Sequence, residues 1–203
     1  MATCAANAAW YSCSMTAAPR LHYTHREYVT FECSVGVKHE FFRGVIIAMA
    51  GGKPEHGARA VRVTSALLAQ IGSRPCVVFD SDVRVRVRAG DLTAYPDASV
   101  VCGKLERDAE DPDAIVNPVV LVEILSPSTE EYDRGEKLDA YKLLPSLREV
   151  VLVAHDEQRI DVHRREEDGW RVHSVQAGES ITLASIDCVL SVTDVYRDVL
   201  ASQ

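Results

Sequence analysis

Two carboxylates and one lysine have the residue types and the spacing of a metal site. Asp97 opens a short strand, Glu123 lies 26 residues later inside the apolar run NPVVLVEIL, and Lys137 follows after another 14 residues. Carboxylates on adjacent strands offer the hard oxygen ligands that Mg²⁺ prefers, with waters and phosphate oxygens completing its octahedron. Such an ion could generate hydroxide and stabilise charge on a phosphate. A lysine ammonium beside it could position the attacking water and offset negative charge.

Glu123 is the charged residue of an otherwise apolar run at 119–125. An unbroken β-branched run of this length predicts a strand covered on both faces, at the centre of a sheet. Taking an unpaired carboxylate out of water costs several kcal/mol, so Glu123 needs a cation, several donors or a water-filled cleft. A structural alternative stays open, in which Glu123 lies at the wet end of its strand or pairs with Arg84 or Arg86.

Lys137 falls in a predicted helix that runs from about Asp133 to Leu144, between strands at 119–125 and 149–154. The order strand, helix, strand implies a parallel or mixed sheet. Spacings of three and four residues place Asp133 and Lys137 on one side of this helix, so Lys137 could point where Glu123 points. Two alternatives stay open, namely that Lys137 only pairs with Asp133 in solvent, and that Asp97 is an ordinary turn residue after proline.

The remaining elements can be predicted more coarsely. We expect two short strands in 37–50 with a turn at Arg43-Gly44, a helix from about Glu55 to Ile71, and three strands followed by a helix at the end of the chain. The start of the helix around Lys137 is ambiguous, because capping boxes are possible at Ser128 with Glu131 or at Asp133 with Glu136. In the segment CVVFDSDVRVRVRAG, valines alternate with Arg84, Arg86 and Arg88. This pattern predicts one strand with a cationic face, which is either solvated or in contact with phosphates.

The bulk composition favours one globular domain. With 203 residues, 47% of them hydrophobic, the chain is long enough for a single well-buried core, which we place at residues 23–203 after a loose arm at 1–22. The net charge of -8 argues against a wholly basic nucleic-acid coat protein. We expect no signal peptide and no membrane span. The six cysteines form no CxxC pair, which favours a reduced, cytoplasmic chain without a cysteine zinc site, with Cys76 and Cys102 as small buried thiols.

The sequence resembles, from about residue 23 to 198, a bacterial family of restriction-endonuclease-like proteins in the PD-(D/E)xK superfamily. The family was long catalogued as a domain of unknown function and is abundant in cyanobacteria. The resemblance rests on the ordered segments HEFFRGVIIAMAGGKPEH, RPCVVFDSDVRVRV, YPDASVVCG, NPVVLVEILSPSTEEYDRGEKLDAYKLLPSLREVVLV and the terminal strands. The string VE-x-LSPST-x-x-YDRG-x-K-x-x-x-Y at 122–141 is its most specific part, because chance is a poor explanation for so long a match.

The resemblance implies an α/β (α+β) restriction-endonuclease-like fold, with a central mixed sheet flanked by helices. It also implies Asp97 as the first metal ligand and Glu123 as the second. The superfamily's usual lysine comes two residues after that glutamate, where this chain has Leu125, so Lys137 on the next helix is the residue that matches. Glu40 in HEFFRG corresponds to an accessory acid, and His56 to a helix-start residue or one that supports a ligand.

These observations together predict a cytoplasmic nuclease that hydrolyses phosphodiester bonds of DNA with Mg²⁺ or Mn²⁺. Asp97 and Glu123 would hold the metal, Lys137 would assist the water, and Glu40 would support the site. Nucleases of this kind often reach both DNA strands as homodimers, and the late strands could supply the interface. The alternative is a binding module on the same fold that engages nucleic acid or a protein without cutting, because fold does not determine function.

Overall fold

The computed structural model describes residues 22–49 and 51–197 of the chain. The helices in these ranges are α1 (His25–Glu32), α2 (Pro54–Ile71), α3 (Glu130–Arg134), α4 (Glu136–Tyr141) and α5 (Val192–Val195). The strands are β1 (His39–Phe42), β2 (Val45–Ala48), β3 (Cys76–Asp80), β4 (Arg84–Val87), β5 (Leu92–Ala94), β6 (Ala98–Cys102), β7 (Ala114–Ile115), β8 (Val120–Ile124), β9 (Glu149–Val153), β10 (Arg159–Glu166), β11 (Gly169–Gln176), β12 (Ser180–Leu183) and β13 (Cys188–Ser191). The predicted arm at 1–22 lies almost entirely outside the described residues.

The largest sheet has six strands in the order β11-β10-β9-β8-β6-β3. Strands β8 and β9 are parallel, whereas the other pairs are antiparallel, so the sheet is mixed. The helices α3 and α4 form the crossover between the two parallel strands. The predicted mixed sheet flanked by helices is therefore confirmed, and β8 lies inside it with all five residues buried.

A second sheet of five strands, in the order β2-β1-β5-β4-β7, packs beside the first. The sequence indicated one strand through residues 76–90, which is wrong because β3 and β4 belong to different sheets. The chain turns between them, where the backbone N–H of Asp82 donates to Oδ1 of Asp80 at 3.0 Å. Aspartate favours such turns because its side chain can accept from the backbone two residues on. A separate hairpin of β12 and β13 was also not predicted.

The two faces of β8 contact different parts of the core. Val120, Val122 and Ile124 face a cluster that includes the buried side of α2 and the β12–β13 hairpin. Leu121 and Leu125 face the other cluster, which includes the second sheet and α4. Side chains alternate along a strand, so Glu123 belongs to the second face, as the sequence predicted.

The arginines of β4 do not form the predicted cationic surface. Arg84 is buried and makes a two-pronged ion pair with Asp111, in which Nε and Nη2 lie 2.8 and 2.7 Å from the carboxylate oxygens. Arg86 is also buried, and its Nη2 donates to Asp91 at 2.9 Å. The solvated interpretation of the stripe is wrong for these two residues, because aspartates from loops outside the strand cover them. Arg88 remains more exposed.

The predicted single helix over 133–144 is two short helices in the structure. They are separated at Gly135, where an added Cβ would lie 2.8 Å from the carbonyl oxygen of Glu131. Neither predicted capping box forms, since α3 begins after Thr129 and shows no side-chain cap. At the end of the described range α5 spans Val192–Val195, and the part of the predicted terminal helix from residue 198 on lies outside the described residues.

Cys76 and Cys102 form a disulfide, so the prediction of two buried thiols is wrong. The residues lie directly opposite each other in the antiparallel pair of β3 and β6. The neighbouring pair is joined by a hydrogen bond from Gly103 N–H to the Pro75 carbonyl, which places the cysteines at a non-hydrogen-bonded position. Cα atoms approach closely at such positions, here to 4.0 Å.

Among the described residues, we find no helix long and apolar enough to cross a membrane.

Candidate active site

The register of β6 and β8 brings Asp97 next to Glu123. Ala98 pairs with Val122, so the two acids occupy the next position on each of these neighbouring strands. The backbone N–H of Ile124 donates to Oδ2 of Asp97 at 2.7 Å, which fixes the Asp97 carboxylate at the end of the strand pair. The two carboxylates predicted as metal ligands therefore lie on adjacent strands at one end of the sheet.

Glu123 is only 5% exposed, and two side chains from the crossover compensate it. The hydroxyl of Tyr141 donates to its Oε1 at 2.7 Å, and Nζ of Lys137 lies 3.0 Å from the same oxygen. The predicted need for a cation is met by this lysine. Pairing with Arg84 or Arg86 is wrong, because aspartates occupy those guanidinium groups.

Lys137 lies at the centre of a buried cluster of acids. It is 4% exposed, and its Nζ lies 2.8 Å from Glu40, 3.0 Å from Glu123 and 3.2 Å from Asp133. The contact with Asp133 is the helix pair that the sequence suggested, but it is buried rather than solvated. Because α4 begins after Gly135, its residue Lys137 contacts Glu123 of β8. The buried Leu138 packs the same helix against the core.

Glu40 enters the cluster from the second sheet. It lies in β1, before a turn in which Arg43 and Gly44 have φ angles of 46° and 83°. Its side chain is buried, and its Oε1 forms the ion pair with Lys137 but finds no hydrogen-bond partner within the described residues. An unsatisfied buried oxygen of this kind can accept from a water or contact a cation.

His56 and Tyr132 complete the surroundings. His56, in the first turn of α2, places Nε2 3.4 Å from Oδ2 of Asp97, in accord with a supporting role. Sequence reasoning did not single out Tyr132, whose hydroxyl is buried and lacks a hydrogen-bond partner in the described part of the chain. Its ring centroid lies 5.9 Å from Nζ of Lys137. The only signal for it was its place in the string YDRG-x-K.

The cluster holds more negative than positive charge, and this shifts several pKa values. Burial raises the pKa of Glu123 to about 8, although the Lys137 ammonium opposes the shift. Burial also disfavours the charged form of Lys137, but Glu123 and the other acids outweigh it and hold the pKa of the lysine well above its ordinary value. The hydrogen bond to Asp97 raises the pKa of His56. Because acids outnumber bases, the site favours a cation.

The donor chemistry fits a hard divalent cation. Across residues 22–49 and 51–197, no group of three or more His, Cys, Asp or Glu side chains is arranged as a metal cage. Mg²⁺ does not need one, since it usually takes one or two carboxylates and completes its shell with water and substrate phosphate. Asp97 and Glu123 supply two such carboxylates, and Oε1 of Glu40, which lies 2.8 Å from Nζ of Lys137, is a further acceptor nearby.

Comparison with known proteins agrees with this architecture. The chain is 34% identical over 181 residues to the uncharacterized protein slr1290 of Synechocystis sp., covering 89% of this chain and 94% of the relative. A second uncharacterized Synechocystis protein, sll1609, is 28% identical over 142 residues, covering 70% and 80%. A crystal structure described as a putative nuclease belonging to DUF820, from Anabaena variabilis, superposes with a TM-score of 0.66 at 19% identity, covering 83% of this chain and 96% of that one. Its likeness establishes the fold.

The family model covers almost the whole described domain. Residues 26–193 match the family Uma2, described as "Putative restriction endonuclease". That range includes Glu40, His56, Asp97, Glu123 and Lys137. The chain therefore belongs to the Uma2 family of restriction-endonuclease-like proteins, as the resemblance in its sequence had indicated.

Proposed function

We propose that the protein is a Mg²⁺- or Mn²⁺-dependent endonuclease that hydrolyses phosphodiester bonds of DNA. The observation that carries the proposal is the buried Lys137, whose Nζ lies within 3.2 Å of Glu40, Glu123 and Asp133 at the strand end that also presents Asp97. Burying several carboxylates together with an ammonium costs stability. Clusters of this kind are concentrated at active sites, where the charges act on a ligand or in a reaction.

Each side chain has a role in this proposal. Asp97 and Glu123 would hold the divalent ion, which would supply a Lewis acid for the scissile phosphate and an activated water. Lys137 directs its ammonium at the reacting phosphate and orients the attacking water by donating to it. Glu40 accepts a hydrogen bond from that water through Oε1, and His56 fixes the orientation of Asp97.

We also propose that the protein acts in the cytoplasm and that two copies of the chain act together. A second site would let the pair reach both strands of a duplex. The six-stranded sheet ends at β11, an eight-residue strand along which hydrogen-bonding groups face outward, and this edge could pair with its copy. Size-exclusion chromatography with light scattering checks the dimer; a monomer at all concentrations would contradict it.

One observation favours a second function, in which the site binds nucleic acid without cutting it. Nζ of Lys137 lies 3.0 Å from Oε1 of Glu123, so a metal must compete with the ammonium for that oxygen. If the metal loses this competition, the protein would be a binding module on a nuclease fold.

Cleavage assays distinguish the two functions. Supercoiled plasmid and single-stranded DNA are incubated with Mg²⁺ or Mn²⁺ and with wild type, Asp97→Asn, Glu123→Gln or Glu167→Gln. Glu167 is exposed, so its variant is a matched control for loss of one carboxylate. The nuclease proposal expects metal-dependent cutting by wild type and Glu167→Gln only. Equal cutting by all four proteins would refute the site, and binding without cutting by wild type would favour the binding module.

A further inference from the structure

A cavity lies on the face of the five-stranded sheet that is opposite to Glu40. Its volume is about 390 Å³, within the range of small-ligand pockets, and it is lined by His25, Arg86, Arg88, Asp108, Ala109 and Glu110. Arg86 stacks over Phe41 with 5.7 Å between its guanidinium carbon and the ring centroid. Because Phe41 and Glu40 alternate along β1, this cavity and the proposed nuclease site are on opposite faces of the strand.

Arg86 supplies an unsatisfied donor at this cavity. Its side chain is only 8% exposed, and Nη2 donates to Asp91 at 2.9 Å. Nη1 is buried and has no hydrogen-bond partner within the described ranges. Buried guanidinium donors are almost always paired, so an acceptor for Nη1 is missing among the described residues.

Glu110 occupies the cavity only loosely. Its carboxylate oxygens lie 3.7 Å from Nδ1 of His25 and 3.7 Å from Nη2 of Arg26, both too long for hydrogen bonds. The Glu110 side chain is 54% exposed, so it can move into solvent. An internal carboxylate thus lies beside the His25 ring and the Arg26 guanidinium without being fixed there, in the place that an external anion would take.

The other walls are more rigid. Asp108 accepts the backbone N–H groups of Glu110 and Asp111 at 2.8 and 3.1 Å, which sets the loop that closes the cavity. Arg88 holds the same Asp108 through Nε at 2.6 Å, while 63% of its side chain stays exposed. His25 is fixed through Nε2, which lies 3.0 Å from the hydroxyl of Thr93.

We propose that this cavity is a phosphate-binding site, in which a phosphate group displaces the Glu110 carboxylate and is held by Arg86, Arg88 and His25. Arginine suits this ligand because its planar fork of donors matches phosphate oxygens. The phosphate comes either from a free phosphate ion or from a nucleic-acid backbone. The site is independent of the proposed nuclease chemistry.

The experiment measures phosphate binding by the full-length protein in EDTA, with no cleavage assay. Melting temperature is followed as inorganic phosphate is added, with chloride at matched ionic strength as the reference, since a ligand that binds the folded state raises it. A short oligonucleotide with the same concentration of phosphates is titrated in parallel. The proteins compared are wild type, Glu110→Gln, Arg86→Lys and, as the control for one lost negative charge, Glu167→Gln.

We expect Glu110→Gln to bind phosphate at least about tenfold more tightly than wild type, because a competing like charge is gone. Arg86→Lys should bind about tenfold more weakly, because the lysine can still pair with Asp91 but lacks the second nitrogen of the planar guanidinium fork. Glu167→Gln should match wild type. If the oligonucleotide shows the same ranking, the source is a nucleic-acid backbone; if only inorganic phosphate does, it is the free ion. Equal responses of Glu110→Gln and Glu167→Gln to both ligands would overturn the proposal.

Discussion

Replacing Glu123 by glutamine should make the metal-free protein more stable at alkaline pH while abolishing DNA cleavage. The reason is the burial of Glu123, which raises its pKa from 4.5 in an exposed carboxyl to about 8 in the folded protein. Each unit of such a shift corresponds to about 1.4 kcal/mol, so ionised Glu123 costs the folded state about 5 kcal/mol. Glutamine resembles the protonated acid and avoids this cost. Lys137 stays compensated in the variant, because Glu40 and Asp133 remain 2.8 and 3.2 Å from Nζ.

The sign of the pH dependence follows from which state binds the proton. Between pH 4.5 and about 8, the unfolded chain has lost the Glu123 proton while the folded protein retains it. The free energy of unfolding of wild type must therefore fall as pH rises through this interval. The glutamine variant lacks this contribution. The difference between the two proteins should grow from near zero at about pH 4 to about 5 kcal/mol at about pH 9.

Urea denaturation followed by far-ultraviolet circular dichroism, in EDTA and at several pH values, measures this difference directly. Glu167→Gln is the matched control, and its curve should run parallel to that of wild type because the residue is exposed. The reasoning would be refuted if Glu123→Gln were less stable than wild type at every pH, or if the two curves stayed parallel from about pH 5 to about pH 9.

Three further predictions concern the metal, the lysine and the disulfide. Mg²⁺ at about 100 times its Kd should stabilise wild type by about 2.7 kcal/mol in calorimetry but leave Asp97→Asn and Glu123→Gln unchanged; equal stabilisation of all three would place the metal elsewhere. Lys137→Met should lose about 3–5 kcal/mol in urea denaturation at about pH 7, because buried acids lose their cation, and a loss below about 1 kcal/mol would contradict this. Reduction of the Cys76–Cys102 disulfide, which spans 26 positions, should cost about 3–4 kcal/mol, whereas dithiothreitol should not affect the double serine variant.

The elements that position the site could be predicted because their patterns are local. An unbroken apolar run defined β8, an alternation in the same run assigned Glu123 to one face, and helical spacing placed Lys137 beside Asp133. The strand-helix-strand order implied a parallel or mixed sheet, and β8 and β9 are parallel neighbours in it. What brought Asp97 next to Glu123 was the register of β6 and β8, which the family resemblance implied and the spacing alone did not.

The failures arose where a distant partner decided the outcome. Nothing within β4 indicates that Arg84 is buried, because its partner Asp111 lies 27 residues away in a loop. The disulfide has the same origin, since Cys76 meets Cys102 only through the pairing of β3 and β6. Periodicity reports which residues share a face, but it does not report which other segment covers that face.

The position of the lysine follows from the shape of the core. Leu125 occupies the place two residues after Glu123, where the superfamily usually has its lysine, and it is buried among apolar side chains of the second face, including Leu138 and Tyr141. An ammonium at that position would replace a buried apolar side chain of this cluster. On α4, by contrast, Lys137 meets Glu123 from the side and also reaches Glu40 and Asp133. The same charge is thus delivered to the same carboxylate from an element where its burial is compensated.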